Sequence, residues 1–253
     1  MARAEIDVFD ARAKATAAAA GAPTKRAYVR RMFSDIAPRY DLLNRVLSLG
    51  IDRLWRRAAV GALGWTRRPA GRYLDLCAGT LDVAAHLGHQ RGFDGQVVAA
   101  DFAEPMLRAG AGKAPAGRVV AVVSDALTLP LADGSCDGAV VAFGIRNVSA
   151  LDLALAEVLR VLSPGARFSI LELSTPASPA LRSAYQVYFR RILPLVGGVV
   201  SGHSTAYWYL PESVAHFPEG NALADRMRAA GFRDVTWRPL SFGIAALHVG
   251  EKP

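Results

Sequence analysis

Beyond Arg72, the apolar positions fall into five short runs separated by segments of helix length. The runs are YLDLC (73–77), QVVAAD (96–101), VVAVVSD (119–125), GAVVAF (138–143) and RFSILEL (167–173). Strands that are apolar on both faces are typical of a parallel sheet covered by helices on each side. Because crossovers between parallel strands are right-handed, the pattern predicts an α/β fold with a doubly wound, mostly parallel, Rossmann-like sheet.

The amino-terminal part of the chain has a helical pattern instead. From Lys25 onward, apolar residues recur at three- and four-residue steps, which predicts a helical cap over residues 25–70 with breaks near Pro38 and Gly50. Residues 1–24 are rich in alanine and are expected to form a disordered or loosely helical tail.

The carboxyl-terminal part adds an insertion and a hairpin. Residues 178–220 are rich in aromatic side chains and interrupt the strand pattern. A helix is predicted over Ala222–Ala230, followed by two strands, DVTWRPL and IAALHVG, that form an antiparallel hairpin through the link 241–243. Residues 25–253 are therefore predicted to form one domain.

Composition indicates a globular protein. No apolar stretch approaches the about 18 residues that a membrane-spanning helix needs, and the amino terminus lacks the apolar core of an export signal. Cys77 and Cys136 both lie in strand-like runs, where buried thiols are expected rather than a disulfide or a metal site. We therefore expect a cytoplasmic protein without a metal centre.

The net charge of +8 is concentrated at the amino-terminal end: residues 1–72 carry a net charge of +9 and the remainder −1. Two interpretations stay open, a solvated arginine-rich surface or a basic face that meets an anionic partner such as lipid headgroups. Aromatic side chains are not interleaved with these charges as in base-stacking surfaces, which disfavours nucleic acid. Peripheral membrane contact is predicted for arginines and apolar residues of the cap, namely Arg30, Arg31, Arg53, Arg56, Arg57, Leu42, Leu43, Val46 and Leu47.

The loop after the first predicted strand has the composition of a ligand-binding turn. Asp75 lies in the strand, Gly79 permits a tight turn beneath a ligand, and Thr80 offers a hydroxyl at the entrance of the next helix. The loop AGTLDV has a single glycine and lacks the G-x-G-x-x-G cradle that a pyrophosphate requires. S-adenosylmethionine (SAM) has no phosphate and suits this loop better than a dinucleotide.

Polar residues also follow three further strands, where ligands of open α/β sheets bind. Asp101 ends the second strand, where a carboxylate can accept both hydroxyls of a ribose, and Asp125 with Ala126 can reach an adenine edge. The fourth strand is followed by FGIRN at 143–147. A lone Asp at a strand end is more often a helix cap, but the co-occurrence of these residues favours a nucleoside site.

Several segments, in this order along the chain, resemble the UbiE/COQ5/MenG C-methyltransferases of menaquinone and ubiquinone synthesis. The resemblance covers roughly residues 28–253, and its most particular segments are PRYDLLN, FGIRNV, YLPESV and GIAALHVGEKP. It implies a SAM-dependent C-methyltransferase that acts on a prenylated hydroquinone, with demethylmenaquinol favoured over the benzoquinol counterpart. A methyltransferase acting on RNA or a secondary metabolite, and a catalytically silent SAM-binding partner protein, are the competing interpretations.

The resemblance implies that Thr80, Asp101, Asp125 and Ala126 contact SAM. The chain departs from the family at Leu81, which is usually a small residue, and at Ala142, which is often serine. The full set of residues expected to bind the cofactor is Asp75, Gly79, Thr80, Asp101, Phe102, Met106, Asp125, Ala126 and Ala142.

Methylation of a ring carbon is a displacement at a sulfonium and requires a neighbouring phenol that is at least partly deprotonated. A free phenol has a pKa near 10, so the site must lower that pKa by about two or three units or supply a base. Arg146 and Asn147 follow the fourth strand and are predicted to orient the acceptor and stabilise its phenolate. Tyr40 and Asp41, from the cap, are the second choices for lining the acceptor side. His203 is a candidate base, whereas His248 is expected to be structural.

Overall fold

A computed structural model describes residues 12–188 and 205–253 and contains the predicted sheet. Seven strands lie in the order β3-β2-β1-β4-β5-β7-β6. Their bounds are β1 Arg72–Leu76, β2 Gln96–Asp101, β3 Val119–Val123, β4 Cys136–Ala142, β5 Leu162–Leu173, β6 Arg233–Leu240 and β7 Ala245–Glu251.

The pairing of the strands confirms a mostly parallel sheet with an antiparallel end. Strands β1 to β5 pair in parallel, and β7 pairs antiparallel with both β5 and β6. The short link Ser241–Gly243 joins β6 to β7, as predicted. Strand β5 begins at Leu162, earlier than predicted, because Leu162 already pairs with Cys136 before a register shift.

Helices cover both faces of this sheet. The helices of the cap are interrupted near Pro38 and Gly50, as predicted, and a 3-10 turn at Ala37–Arg39 forms the first interruption. The bounds are α1 12–19, α2 Lys25–Ile36, α3 Tyr40–Ser48, α4 Asp52–Ala62, α5 Asp82–Gly88, α6 Glu104–Ala109, α7 Leu151–Val161, α8 Pro179–Val187, α9 Thr205–Ala215 and α10 Gly220–Ala229.

The core lies in two layers because successive side chains of a strand point to opposite faces of a sheet. On one face Leu74 and Val141 pack with residues of α7 and α10. On the other face Tyr73 and Val140 pack with residues of α4 and α5. Asp75 alternates with Leu74, so its carboxylate points toward the face that α5 covers.

The amino-terminal tail is folded from residue 12 onward, so the expectation of disorder is wrong for this part. Residues 12–19 form the helix that the alternative prediction allowed. Ala15 and Ala18 are buried against Val29 and Tyr209, and their small side chains let the helices approach closely. This contact ties the tail to the insertion.

The insertion is only partly within the described residues, as α8 and α9. His203, the candidate base, lies outside them. Among the described residues, no helix has both the length and the apolar character needed to cross a membrane.

The order of the strands predicts where a ligand binds. The connections run from β1 outward to β2 and β3, and the chain then returns to place β4 on the other side of β1. In doubly wound sheets the crevice at such a reversal, outside the carboxyl ends of the strands, holds the ligand. The ends of β1, β2 and β4 should therefore form the site.

Candidate active site

Asp75 holds the first loop in place from beneath. Its carboxylate accepts a hydrogen bond from the backbone N–H of Ala84 in α5, with a nitrogen–oxygen distance of 2.9 Å. Burial raises the pKa of Asp75 to about 8. Asp75 is not among the residues that line the cofactor pocket, because the pleat of β1 directs its side chain to α5; its direct contact with the cofactor stays a prediction.

Thr80 likewise is not among the residues that line the pocket, and its contact with the cofactor stays a prediction. Its hydroxyl donates to Asp41 of the cap at 2.5 Å, and Asp41 pairs with Lys113 at 2.5 Å. Gly79 does line the pocket, in the left-handed conformation with φ 52°. Leu81 is also left-handed, but its side chain packs into the core rather than into the pocket.

Asp101 is the last residue of β2 and lines the pocket. Its two carboxylate oxygens accept backbone N–H bonds from Gly79 at 2.9 Å and Ala103 at 2.8 Å. Burial raises the pKa of Asp101, and these backbone bonds oppose the shift. A carboxylate has about four lone-pair sites, so these bonds leave acceptor capacity for the hydroxyls of a ligand.

The other predicted cofactor residues come together in the same pocket. It is lined by Gly79, Asp101, Phe102, Met106, Asp125, Ala126 and Ala142, which are seven of the nine residues expected. The carboxylate of Asp125 pairs with Arg26 of α2 at 2.7 Å. The cap therefore reaches across the pocket to its far wall.

Sequence reasoning missed Ser124 and Cys77, which also line the pocket. The hydroxyl of Ser124 is buried and has no hydrogen-bond partner among the described residues. Its position directly before Asp125 was the only signal in the sequence. Cys77, expected to be a buried thiol, is half-buried at the end of β1.

These features fit a nucleoside. The spare lone pairs of Asp101 suit ribose hydroxyls, and the unpartnered hydroxyl of Ser124 suits a polar edge of a base. Met106 and Ala126 supply apolar surface for its faces.

A second cavity, of about 390 Å³, lies beside the first and is lined mainly by apolar and aromatic side chains of the cap, α8 and α9. Its size lies within the about 300–1,000 Å³ typical of small-molecule sites. Phe33, Tyr40 and Phe143 line both cavities. The two cavities therefore meet at these three rings.

Arg146 lies on the wall of this second cavity. Nη1 donates to Glu172 at 2.5 Å and to the carbonyl of Phe143 at 2.6 Å, and Nε donates to Ser213 at 3.3 Å. A guanidinium has five N–H groups, so the two on Nη2 are not used by these bonds. Among the described residues, no hydrogen bond from Nη2 is found.

Glu172 is the residue that sequence reasoning missed at this site. It is buried, and besides Arg146 it accepts the backbone N–H of Leu173 at 2.9 Å. The signal was present, since Glu172 is the one charged side chain inside the apolar part of RFSILEL. Burial lowers the pKa of Arg146, but the charge and hydrogen bond of Glu172, together with Tyr40 and Tyr209, outweigh this effect and the net shift is upward.

Asn147 and Tyr40 lie where the cavities meet. Asn147 lines the cofactor pocket, and its buried Oδ1 has no hydrogen-bond partner among the described residues. Burial raises the pKa of Tyr40, a shift that Asn44, Arg56 and Arg146 oppose. Tyr40 is therefore a neutral hydrogen-bond donor near pH 7 and not a base.

Arg56 is not on the surface, contrary to the prediction. It is buried, pairs with Asp52 and with Asp82 at 3.5 Å, and its guanidinium lies 5.6 Å from the ring centroid of Phe143. The two carboxylates compensate the charge, which allows its burial. Arg56 therefore lines the second cavity.

His248 is structural, as predicted. It is buried in β7, one of its ring nitrogens lies 2.8 Å from the carbonyl oxygen of Gly220, and its ring stacks on Trp237. Burial lowers its pKa, so it stays neutral, and it lines neither cavity.

Comparison with known proteins agrees with this arrangement. A SAM-dependent methyltransferase from Thermotoga maritima, described as a possible histamine N-methyltransferase, has a TM-score of 0.62 at 19% identity, covering 89% of this chain and all of its own. At that identity the likeness shows the fold alone.

Similarity in sequence is much closer. The demethylmenaquinone methyltransferase of Thermus thermophilus is 50% identical, over 88% of this chain and all of its own length. The ubiquinone/menaquinone biosynthesis C-methyltransferase UbiE of Geobacter sulfurreducens is 45% identical, over 88% of each. The model of the ubiE/COQ5 methyltransferase family matches residues 22–252. This chain therefore belongs to the ubiE/COQ5 methyltransferase family and is a SAM-dependent methyltransferase.

Proposed function

We propose that this protein transfers a methyl group from SAM to a ring carbon of a prenylated hydroquinone, with demethylmenaquinol as the acceptor. The observation that carries the proposal is the apolar cavity of about 390 Å³, which has Arg146 on its wall and meets the cofactor pocket. An apolar cavity with one cationic donor group suits a prenylated ring with an acidic hydroxyl. The name of the Geobacter relative includes ubiquinone, which makes a benzoquinol the second candidate.

In this proposal, the residues that line the first pocket hold SAM. Asp101 accepts the ribose hydroxyls with its spare lone pairs, and Ser124 with Asp125 recognises the edge of the adenine. Met106 and Ala126 pack against the base. Gly79 leaves room for the cofactor because it carries no side chain.

Bound SAM supplies an electrophilic methyl group on a sulfonium. The protein must direct a ring carbon at that group, and the meeting of the cavities at Tyr40 and Phe143 defines the direction. Arg146 donates from Nη2 to the hydroxyl oxygen of the acceptor and favours its phenolate form. Asn147 and Tyr40 hold the ring at the junction.

The magnitudes are compatible with this role for Arg146. Lowering a phenol pKa by about two or three units requires about 3–4 kcal/mol of preferential binding of the phenolate. A hydrogen bond to a charged group contributes about 1.5–3 kcal/mol, so two N–H bonds from a desolvated guanidinium suffice.

Peripheral contact with an anionic membrane belongs to the same proposal, because a prenylated quinol resides in the bilayer. Arg30, Arg31, Arg53 and Arg57 are exposed on the cap, whereas Arg56 and Leu43 are buried and do not take part. Each basic group near an anionic surface contributes about 1 kcal/mol.

The test is to incubate the purified protein with methyl-labelled SAM and short-chain forms of the two demethylated quinols. We expect label in the naphthoquinol product, identified by mass spectrometry as a ring-carbon methyl. Labelling of the benzoquinol alone would favour the second candidate. Absence of label from both would refute the proposal.

A further inference from the structure

Four large apolar side chains around the opening of the second cavity are exposed to solvent. We call them the apolar rim: Leu49, Ile51, Leu54 and Phe242, with exposed fractions of 86%, 39%, 60% and 88%. Leu49 and Ile51 also line the cavity, so the exposed parts of their side chains mark its opening.

Phe242 belongs to the rim although it lies far from the cap in sequence. Trp55 donates from Nε1 to the hydroxyl of Ser241 at 2.9 Å, which ties the β6–β7 link to α4. Both Trp55 and Ile244, two residues after Phe242, line the second cavity. The cap and the link therefore border one opening.

Two residues of the rim have a positive backbone φ angle. Leu49 has φ 51° and Phe242 has φ 60°, in the left-handed region that disfavours bulky side chains. Each precedes a glycine that is also left-handed, Gly50 with φ 77° and Gly243 with φ 92°. Strain and exposure together at two large apolar residues are typical of a surface that contacts a partner.

The charges around the rim indicate the chemistry of that partner. Leu42 and Arg45 are exposed and lie three residues apart in α3, on one side of the helix, and the exposed Leu49 follows directly after the helix ends. The acids of this segment are compensated by cations, since the half-exposed Asp41 pairs with Lys113 and the buried Asp52 pairs with Arg56. An apolar centre with cationic margins is typical of a surface that enters the interface of an anionic bilayer.

We propose that the apolar rim inserts into a lipid bilayer and that the acceptor enters the cavity from the bilayer through this opening. The identity of the acceptor rests on the function proposed above, but insertion of the rim does not. A bilayer leaves the opening accessible to a lipophilic acceptor, whereas a second copy of the chain seated on the rim would cover it.

Vesicle binding tests insertion without any quinol. The double variant Leu54→Ser, Phe242→Ser removes two rim residues that do not line the cavity. Leu153→Ser is the matched control, because Leu153 is 61% exposed on α7, outside the rim. In high salt, with vesicles of phosphatidylcholine and phosphatidylglycerol, we expect partition of the double variant to fall by about tenfold or more, and that of the control to stay unchanged.

Activity provides the second measurement. The double variant should methylate a short-chain acceptor in solution like the wild type and lose about tenfold in rate on a long-chain acceptor embedded in vesicles. Wild-type vesicle binding by the double variant would overturn the proposal. So would a dimer in ultracentrifugation that the double variant abolishes. Failure to methylate any quinol would refute the proposed function, while the vesicle result would still decide insertion.

Discussion

Two buried side chains of opposite charge, Arg146 and Glu172, compensate each other beside the second cavity. Their side chains are 7% and 1% exposed, and the oxygen–nitrogen distance is 2.5 Å. Removing one partner of such a pair leaves an uncompensated charge, whereas apolar replacement of both is often tolerated. Stability and chemistry can therefore be separated at this pair.

For this reason we expect Glu172→Gln to destabilise the protein by about 3–5 kcal/mol. The double variant Arg146→Met, Glu172→Leu should recover most of that stability and still lack turnover, because no donor faces the acceptor. Denaturant unfolding and methyl transfer on each variant check this. Turnover that returns with stability would contradict a role for Arg146 in catalysis.

Asp101 is the residue on which, in the proposed function, cofactor binding depends most directly. Asp101→Ala should weaken SAM binding by about 1.5–3 kcal/mol, because hydrogen bonds to a charged group are lost. Isothermal calorimetry measures the change, with the exposed Asp152→Ala as control. Equal SAM affinity in wild type and Asp101→Ala would remove this assignment.

Asp75 makes the stability depend on pH. Burial raises its pKa from 3.8 in the unfolded chain to about 8, so the folded state favours the neutral acid. The contribution of Asp75 to the stability of the folded state is complete below pH 3.8 and is lost as the pH rises to about 8. The melting temperature of Asp75→Asn relative to that of the wild type should therefore increase as the pH rises from about 5 to about 8. A difference that stays constant with pH would show that Asp75 titrates normally.

At the scale of elements, the cap spans the cofactor pocket and is fastened on both sides of it. Arg26 pairs with Asp125, Lys25 donates to the carbonyl of Arg146 at 2.9 Å, and Asp41 accepts from Thr80. Thr80, which was expected to contact SAM, donates its hydroxyl to Asp41 of this cap. In the proposed function, helix α2 therefore releases or shares Asp125 when SAM enters.

Loosening the contact between the cap and the cofactor pocket should change the rates of SAM binding more than the affinity for SAM. An exposed ion pair contributes about 0.2–1 kcal/mol, so Arg26→Ala should raise the SAM dissociation rate by up to about fivefold and also raise the association rate. Stopped-flow tryptophan fluorescence measures both rates. Arg30→Ala, an exposed position in the same helix, should leave them unchanged. Unaltered rates in Arg26→Ala would mean that α2 does not gate the pocket.

At the scale of the whole molecule, the amino-terminal charge and three of the four rim residues lie on the same cap. The charge attracts the protein to an anionic surface over a distance that salt shortens, whereas apolar insertion does not depend on salt. The two contributions can therefore be measured in one titration.

Sedimentation with anionic vesicles should accordingly show two components. Raising the salt should release the part of the binding that is due to Arg30, Arg31, Arg53 and Arg57, leaving the part due to the rim. Neutral vesicles should show only the second part. Negligible binding to both kinds of vesicle would mean that the basic cap is an ordinary solvated face.

The sequence by itself determined the sheet and the residues at its strand ends. Apolar runs and their spacing indicate buried parallel strands, and the ends of such strands necessarily meet at one edge, so Asp101, Asp125 and Arg146 could be placed together. These are local patterns with a fixed period, and a single chain displays them.

Only the tertiary structure decided which partner each polar side chain meets. Asp75 lies in β1 and Thr80 lies in the loop that follows it, where a cofactor is expected to bind, yet their oxygens are bonded to α5 and to Asp41. Glu172 and the rim residue Phe242 become significant only when segments distant in sequence pack beside Arg146 and Trp55. Hydrogen bonds and ion pairs depend on distances of a few ångströms between such segments, and the order of residues along one chain does not contain them.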